Sequence, residues 1–168
     1  LSFQYPSEIS GVTISNFLRT ALNSLTGEKI KVMDFKKLLD ERLKQLKMDA
    51  KFSRRYLNEG FSGGEKKKAE ILQLMVLNPK LVILDETDSG LDIDALKEVS
   101  KGVNAFMNKD KCILIITHYK RILEYVKPDK LVIMIDGKIA LEGKGDLVDH
   151  LEEKGYGWIE ENDLQNNS

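Results

Sequence analysis

The sequence predicts an α/β fold in which a helical region precedes the C-terminal part of a mainly parallel sheet. Short apolar runs at residues 81–84, 112–116 and 131–135 have the length of strands, and helical spacing lies between the first two. Continuous apolar runs are typical of strands buried on both faces, and strands that alternate with helices form parallel sheets. Residues 17–25 and 34–47 carry apolar side chains at helical spacing with no strand between them, which predicts a helical subdomain.

Turn and capping residues set the boundaries of the remaining elements. A third helix starts near Ser62 and ends by Asn78, because Pro79 disfavours helical geometry in the residue before it. The Asp136-Gly137 pair predicts a hairpin into a strand at residues 138–141. The other expected segments are, in chain order, a loop at 1–12, an irregular stretch at 49–60, and helices at 92–107, 119–126 and 145–154.

Composition and charge indicate a soluble globular protein. The 168 residues carry 26 basic and 27 acidic side chains, well mixed along the chain, so no basic stripe predicts direct binding of nucleic acid. The longest apolar runs are too short to span a bilayer, and the first residues do not resemble a secretory signal. The single cysteine, Cys112, is expected to be buried, and one thiol can neither form an internal disulfide nor hold an iron–sulfur cluster. These features fit a reducing, cytoplasmic location, and a plastid stroma would suit them equally.

Acidic and imidazole side chains follow two of the predicted strands. Asp85 and Glu86 end the first strand, and Thr117 and His118 follow the second. In open α/β sheets, ligands bind beyond the carboxyl ends of the strands. Two adjacent carboxylates fit a metal–nucleotide site there, in which one acid holds Mg²⁺ and the next orients the attacking water. A strand that simply ends in a polar turn is the plainer interpretation, and the acid and imidazole on neighbouring strands favour the site.

A glycine-rich helix start predicts an anion site. Ser62 and Glu65 match a capping box, which by itself marks an ordinary helix N-terminus. Gly63 and Gly64 weaken the first turn by roughly 1 kcal/mol each relative to alanine, so they make sense where another group must approach the backbone closely. Free N–H groups at such a helix start bind phosphate. The lysines at 66–68 are expected to form a solvated face of the helix.

Taken together in chain order, these motifs resemble those of ABC-type ATPase subunits, which are P-loop NTPases with an ABC-type nucleotide-binding domain. The resemblance implies binding of ATP and Mg²⁺. It also divides the chain into a helical subdomain with the Q-loop (residues 1–78), the C-terminal part of a RecA-like α/β core (79–160) and a polar tail (161–168). The matching positions are Gln4 for the Q-loop, Ser62-Gly63-Gly64-Glu65 for the signature motif, 81–86 for Walker B, 89–92 for the D-loop and His118 for the H-loop.

The resemblance assigns roles to residues that match the family's motifs. Glu86 and His118 would be catalytic, and Asp85 would hold Mg²⁺ together with Gln4. The nucleotide-binding positions it implies are Gln4, Ser62, Gly63, Gly64, Glu65 and Asp92, the last of which is also placed to cap the following helix.

Within this family the sequence is similar to the SufC branch, which serves iron–sulfur cluster assembly. Transporter subunits commonly have proline after the Walker B glutamate, whereas Thr87 and Asp88 follow Glu86 here. Phe-Gln-Tyr-Pro at 3–6 and Gly-Tyr-Gly-Trp at 155–158 also resemble SufC. The resemblance implies scaffold partners of the SufB and SufD type, which would supply the cluster ligands, and a transient homodimer driven by nucleotide.

No G-x-x-x-x-G-K-[ST] pattern occurs in the sequence. In the family this phosphate loop precedes the Q-loop, so we expect it in an N-terminal part that this chain lacks, and we expect this chain alone to be inactive. Two alternatives remain. The same motifs would serve the ATPase subunit of an ABC transporter, and less favoured is a DNA-linked ATPase head of the structural-maintenance type. Such a head should show heptads upstream and basic DNA-facing patches, and the sequence has neither.

Overall fold

The computed structural model of the protein describes residues 1–2, 6–144 and 147. The chain is organised as two compact units, Leu1–Ile122 and Leu123–Ser168. In chain order the elements are β1 (Ile9–Thr13), α1 (Ile14–Thr26), α2 (Val32–Gln45), a 3₁₀ helix (Ala50–Arg54), β2 (Tyr56–Leu57), α3 (Gly63–Leu77), β3 (Leu81–Asp85), α4 (Ile93–Phe106), β4 (Cys112–Ile116), a second 3₁₀ helix (Lys120–Glu124), β5 (Leu131–Ile135) and β6 (Lys138–Gly143).

The helical region of the first unit forms where its periodic apolar residues predict. Helix α1 begins at a Thr13 side chain that accepts a hydrogen bond from the Asn16 N–H at 3.2 Å, and it ends at Gly27 with the left-handed φ of 72° that glycine tolerates. Helix α2 begins after Lys31, two residues before the start that the apolar spacing predicts, so Asp34 lies in its first turn. No helix in the described ranges combines the length and apolar character needed to cross a membrane.

Helix α3 is packed on most of its circumference, against α1, α2 and α4. Gly102 of α4 lets this packing be close, because a Cβ added there would lie 2.5 Å from Ile71 Cγ2 and 2.8 Å from Leu46 Cδ2. The predicted division of the chain at residue 78 falls between α3 and β3 and stays a prediction. The buried apolar side chains of α3 are Ala69, Ile71, Leu72, Leu74, Met75 and Val76.

Strands β3 and β4 pair in parallel, as the alternation of strand and helix predicts, with Leu81 opposite Cys112 and Asp85 opposite Ile116. One face of β3 is fully buried at Val82 and Leu84. On the other face Leu81 is 60% exposed, and Leu114 of β4 is 52% exposed. The expectation that both strands are buried on both faces is therefore wrong for the part of the chain that the structure describes. The same holds for Cys112, which was expected to be buried and is exposed.

Three further predictions, for the hairpin, the N-terminal segment and the helix at 119–126, can be compared with the structure. The hairpin at Asp136-Gly137 is confirmed, since both residues have positive φ and join the antiparallel β5 and β6. The segment at 1–12 was expected to be a loop but contains most of β1, whose Ile9 pairs with Leu57 of β2. A 3₁₀ helix at Lys120–Glu124 replaces the longer helix expected there. Most of the helix expected at 145–154 lies outside the described residues.

The start of α3 is fixed by the expected capping box and by an arginine from the preceding loop. Ser62 Oγ accepts from the Glu65 N–H at 3.2 Å, and Glu65 Oε2 accepts from the Ser62 N–H at 2.8 Å. Arg55 Nη1 donates to Glu65 Oε1 at 2.9 Å, and its guanidinium lies over the rings of Phe52 and Phe61. Burial raises the pKa of Glu65, but the hydrogen bonds from Ser62 and Arg55 outweigh it and hold that pKa below its usual value.

Gly102→Ala should destabilise the protein by about 1–3 kcal/mol, because the new methyl group overpacks the contact of α4 with α3. Chemical denaturation measures the change in the free energy of unfolding. Gly63→Ala is the matched control, since a Cβ there meets no atom within 4 Å. Equal stability of wild type and Gly102→Ala would show that the two helices are less tightly packed than the structure places them.

Glu65→Gln should lower the free energy of unfolding at pH 7 by up to about 1 kcal/mol, the range of partly exposed ion pairs. A carboxyl whose folded pKa is lowered stabilises the folded state above its unfolded pKa, here 4.5, and loses that contribution as the pH falls through the folded value. The difference between the two proteins should therefore shrink in denaturation series taken from pH 6 toward pH 3. Glu41→Gln, at an exposed position of α2, is the control. A difference that stays constant with pH would contradict the role given to the carboxylate.

Candidate functional site

The candidate site lies where β3 and β4 end. Because the strands are parallel with Asp85 opposite Ile116, the residues that follow them come to the same edge. Glu86 Oε1 lies 3.2 Å from Nδ1 of His118, with the imidazole about half exposed. The structure therefore brings together the two side chains that the sequence marks as catalytic.

The backbone at Glu86 is held in an unusual conformation by several hydrogen bonds. Its φ is 45°, in the left-handed region that residues with a Cβ seldom adopt. The Glu86 N–H donates to the Ile116 carbonyl at 2.9 Å, and the Glu86 carbonyl accepts from the Ser89 N–H at 3.1 Å and from Lys67 Nζ at 3.2 Å. Strained positions of this kind persist where the surroundings hold them in place. The bonds fix the point at which the chain turns from β3 toward the candidate site.

Lys67 reaches this point from α3, about one turn beyond the glycines of the helix start. It is 5% exposed, so the expected solvated face of three lysines is wrong at this position. Burial lowers the pKa of Lys67, and nearby carboxylates oppose that shift by favouring its charged form. The acidic residues that do so are Glu70, Asp88, Asp85 and Glu86.

The turn between β3 and α4 is buried at its centre. Thr87 and Asp88 are 0% and 2% exposed, and Asp88 Oδ2 accepts from the hydroxyl of Thr117 at 2.6 Å. The turn ends at Asp92, whose side chain caps α4 by accepting from the Ala95 N–H at 2.7 Å. The sequence predicted this cap, whereas no role was predicted for Asp88. The signal that could have identified Asp88 is its position, two residues after Glu86 at the end of a predicted strand.

The glycine-rich start of α3 offers room for a ligand. A Cβ at Gly63 would meet no atom within 4 Å, and one at Gly64 would meet Ala95 Cβ only at 3.6 Å. Packing in this chain therefore does not require glycine at either position. This is consistent with the expectation that the glycines admit a group from outside, and the roles of Ser62, Gly63, Gly64 and Glu65 in binding nucleotide stay proposals.

The carboxylates at the end of β3 are suited to a partial metal shell. Within the described ranges there is no group of three or more His, Cys, Asp or Glu side chains that could hold a metal ion by themselves. Mg²⁺ is commonly bound by one or two carboxylates together with phosphate oxygens. These carboxylates favour the charged form of Lys67 against the effect of burial on its pKa, and the role of Asp85 as a metal ligand stays a proposal. Gln4, the other expected ligand, lies outside the described residues.

Comparison with known proteins identifies relatives over most of the chain. The sequence profile described as "ABC transporter" matches residues 3–89. The chain is 52% identical over 163 residues to Vegetative protein 296 of Bacillus subtilis (strain 168), with 96% of this chain and 62% of the relative covered. It is also 52% identical over 163 residues to the probable ATP-dependent transporter ycf16 of Trieres chinensis, with 95% and 65% covered. The chain thus spans less than two thirds of the length of these curated relatives.

Solved structures confirm the fold class. A bacterial ABC transporter cassette in dimeric form superposes with a TM-score of 0.72 at 19% identity, over 85% of this chain and 61% of that one. The same cassette with ADP and inorganic phosphate gives a TM-score of 0.67. At this identity the likeness shows the fold, which is that of P-loop NTPases, and the family follows from the sequence profile. The chain belongs to the ABC transporter family and carries part of its ATPase cassette.

Proposed function

We propose that this chain is part of an ATP-hydrolysing subunit of the SufC type, with Glu86 and His118 as its catalytic pair. The observation that carries the proposal is the 3.2 Å contact between the carboxylate and the imidazole at neighbouring carboxyl ends of parallel strands. Ligands of open α/β sheets bind at that edge. The phosphate loop would come from a segment outside the 168-residue sequence, as the greater length of the relatives allows.

Each group at the strand ends has a part in this proposal. The Glu86 carboxylate accepts a hydrogen bond from water and orients it toward the terminal phosphorus of ATP. The His118 imidazole, more exposed than the carboxylate, donates to an oxygen of the same phosphoryl group. Asp85 and Gln4 would hold Mg²⁺, which would offset the charge that develops on the phosphate oxygens. Asp92 caps α4 and so fixes the end of the turn that faces the nucleotide.

The start of α3 is proposed to bind the phosphate of a second copy's nucleotide. The N–H groups of Gly63 and Gly64 lie at the N-terminus of α3, where the helix dipole favours an anion, and the Ser62 hydroxyl lies beside them. The Glu65 side chain is already engaged by Ser62 and Arg55, which offsets its charge beside the incoming phosphate. The dimeric state of the bacterial cassette described above supports a homodimer formed around nucleotide.

The assignment to iron–sulfur cluster assembly rests on the sequence around the Walker B strand. Thr87 and Asp88 replace the proline common in transporters, and both are buried in the turn that they form. One cysteine cannot hold a cluster, so the cluster ligands would belong to scaffold partners of the SufB and SufD type. An ABC transporter subunit is the alternative, and the binding partner distinguishes the two.

Partner docking is proposed on the segment that follows Gln4. Ile9 and Val12 of β1 are 39% and 36% exposed. This segment would contain both Gln4, proposed to bind the metal, and apolar side chains that contact the partner. It could therefore couple the binding of nucleotide to the binding of the partner. Apolar anchors of this kind carry much of the energy of protein interfaces.

Glu86→Gln, in a chain that includes the phosphate loop, should reduce ATP turnover by well over tenfold and leave nucleotide binding intact. The amide cannot orient water as a carboxylate does, while Asp85 remains for the metal. A phosphate-release assay measures turnover, and calorimetry measures binding. Glu41→Gln on α2 is the matched control and should behave as wild type. More than a tenth of the wild-type rate, a barrier change below about 1.4 kcal/mol, would remove Glu86 from the proposed role.

Ile9→Asp and Val12→Asp should each weaken binding to a SufB- or SufD-type scaffold by at least about 2 kcal/mol, roughly 30-fold, if β1 is the docking segment. Calorimetry with purified scaffold measures the affinity, and thermal melting checks the fold. Val32→Asp is the matched control, since that residue is 61% exposed on α2. Unchanged affinity in the β1 variants would place docking elsewhere. Failure of the wild-type protein to bind the scaffold at all would favour the transporter alternative.

A further inference from the structure

Asp88 is a buried carboxylate for which the proposed function gives no role. It is 2% exposed, and Oδ2 accepts a short hydrogen bond of 2.6 Å from Thr117 Oγ1. Its other oxygen, Oδ1, is buried with no hydrogen-bond partner among the residues that the structure describes. A buried acceptor without a hydrogen-bond partner lowers the stability of the fold, so packing alone does not account for a carboxylate at this position.

The bond from Thr117 to Asp88 lies at the start of the turn that carries His118. The Thr117 hydroxyl donates its proton to Asp88 and at the same time accepts from the Tyr119 N–H at 2.9 Å. These two bonds involve the residues on either side of His118. The same hydroxyl also lies 3.3 Å from the Tyr119 carbonyl, a longer alternative acceptor. While its proton is donated to Asp88 at the shorter distance, its lone pair is directed at the Tyr119 N–H, which ties the turn to the acceptor at Asp88.

Three links join the end of β3 to the end of β4. The Glu86 N–H donates to the Ile116 carbonyl at 2.9 Å, which fixes the backbone, and Glu86 meets His118 at 3.2 Å, which is the candidate catalytic contact. The bond of Asp88 to Thr117 is the third. It connects Thr117, the residue before His118, to the turn that follows Glu86. Both partners of the catalytic contact are thus attached to the same turn.

We propose that Asp88 is a positioning residue for ATP hydrolysis, acting through Thr117 to hold His118 at its distance from Glu86. The inference rests on the proposed function. Asp88 itself touches neither water nor phosphate in this proposal. Its negative charge strengthens the hydrogen bond that it accepts, and Lys67 of α3 offsets that charge within the buried cluster.

The test compares variants that break or keep the hydrogen bond, in a chain that includes the phosphate loop. Asp88→Ala and Thr117→Val remove it, and each should lower kcat at least tenfold with less than a twofold change in KM. Thr117→Ser keeps the hydroxyl and should retain most of the rate. Thr26→Val is the matched control, because it makes the same substitution at a hydroxyl that donates to the Leu22 carbonyl on the exposed end of α1.

A spectroscopic measurement separates positioning from a loss of stability. The imidazole resonances of His118 can be assigned with a His118→Ala variant. Asp88→Ala and Thr117→Val should move the His118 resonances, while Thr117→Ser and the control Thr26→Val should leave them in place. If Asp88→Ala does not fold, Thr117→Val removes the same hydrogen bond and decides the question.

Two results would overturn the proposal. One is wild-type kcat in the folded variants that lack the hydrogen bond. The other is a reduced kcat with the His118 resonances unmoved, which would mean that Asp88 acts through another group. A wild-type protein that does not hydrolyse ATP would instead refute the proposed function, and the resonances would still report whether Asp88 holds the turn.

Discussion

The parallel pairing of β3 with β4 is the constraint on which the candidate site depends. Five residue pairs in unbroken register, from Leu81 with Cys112 to Asp85 with Ile116, bring the two carboxyl ends level. A slip of one residue would turn every side chain of one strand to the opposite face. It would also break the hydrogen bond from Glu86 to Ile116 and separate the acid from the imidazole. The register is therefore a requirement of the chemistry as well as of the packing.

Helix α3 connects this edge to the glycine-rich motif. Its N-terminus is held by the capping box and Arg55, and Lys67 on the next turn donates to the Glu86 carbonyl. The rest of the helix is packed tightly, with Gly102 of α4 giving the close approach. A packed helix moves as a unit, because interiors at this density do not deform continuously. The glycine-rich start of α3 and the backbone of Glu86 are therefore joined through one packed helix.

The sequence predicted element boundaries correctly where capping, proline or turn residues determine them. The capping box at Ser62, the proline after Asn78 and the turn at Asp136 each fix a boundary within a few residues, and all three are confirmed. The pair of Glu86 and His118 could also be predicted, since both follow apolar strand runs. Strand β1 could not, because its side chains are largely exposed and give no apolar pattern. The burial of Lys67 could not be predicted either. Most of the acids near Lys67 come from the end of β3 and the turn after it, and the spacing of apolar residues along α3 does not indicate that these elements meet.

The buried charges at the strand ends are best understood as one group. Lys67 would be costly alone, since burial lowers its pKa, and Asp88 would be costly alone with one oxygen unpartnered. Together they offset each other's charge, and the remaining acids at 85 and 86 face the edge where a metal and phosphates would add their own charges. Removing one member of a buried set leaves the others uncompensated, so substitutions within it should not be additive. The family's Walker B pair is thus supported by two neighbours that its motif does not include. One is Lys67 on α3, and the other is Asp88, in the turn where this sequence has Thr87 and Asp88 in place of the proline common in transporters.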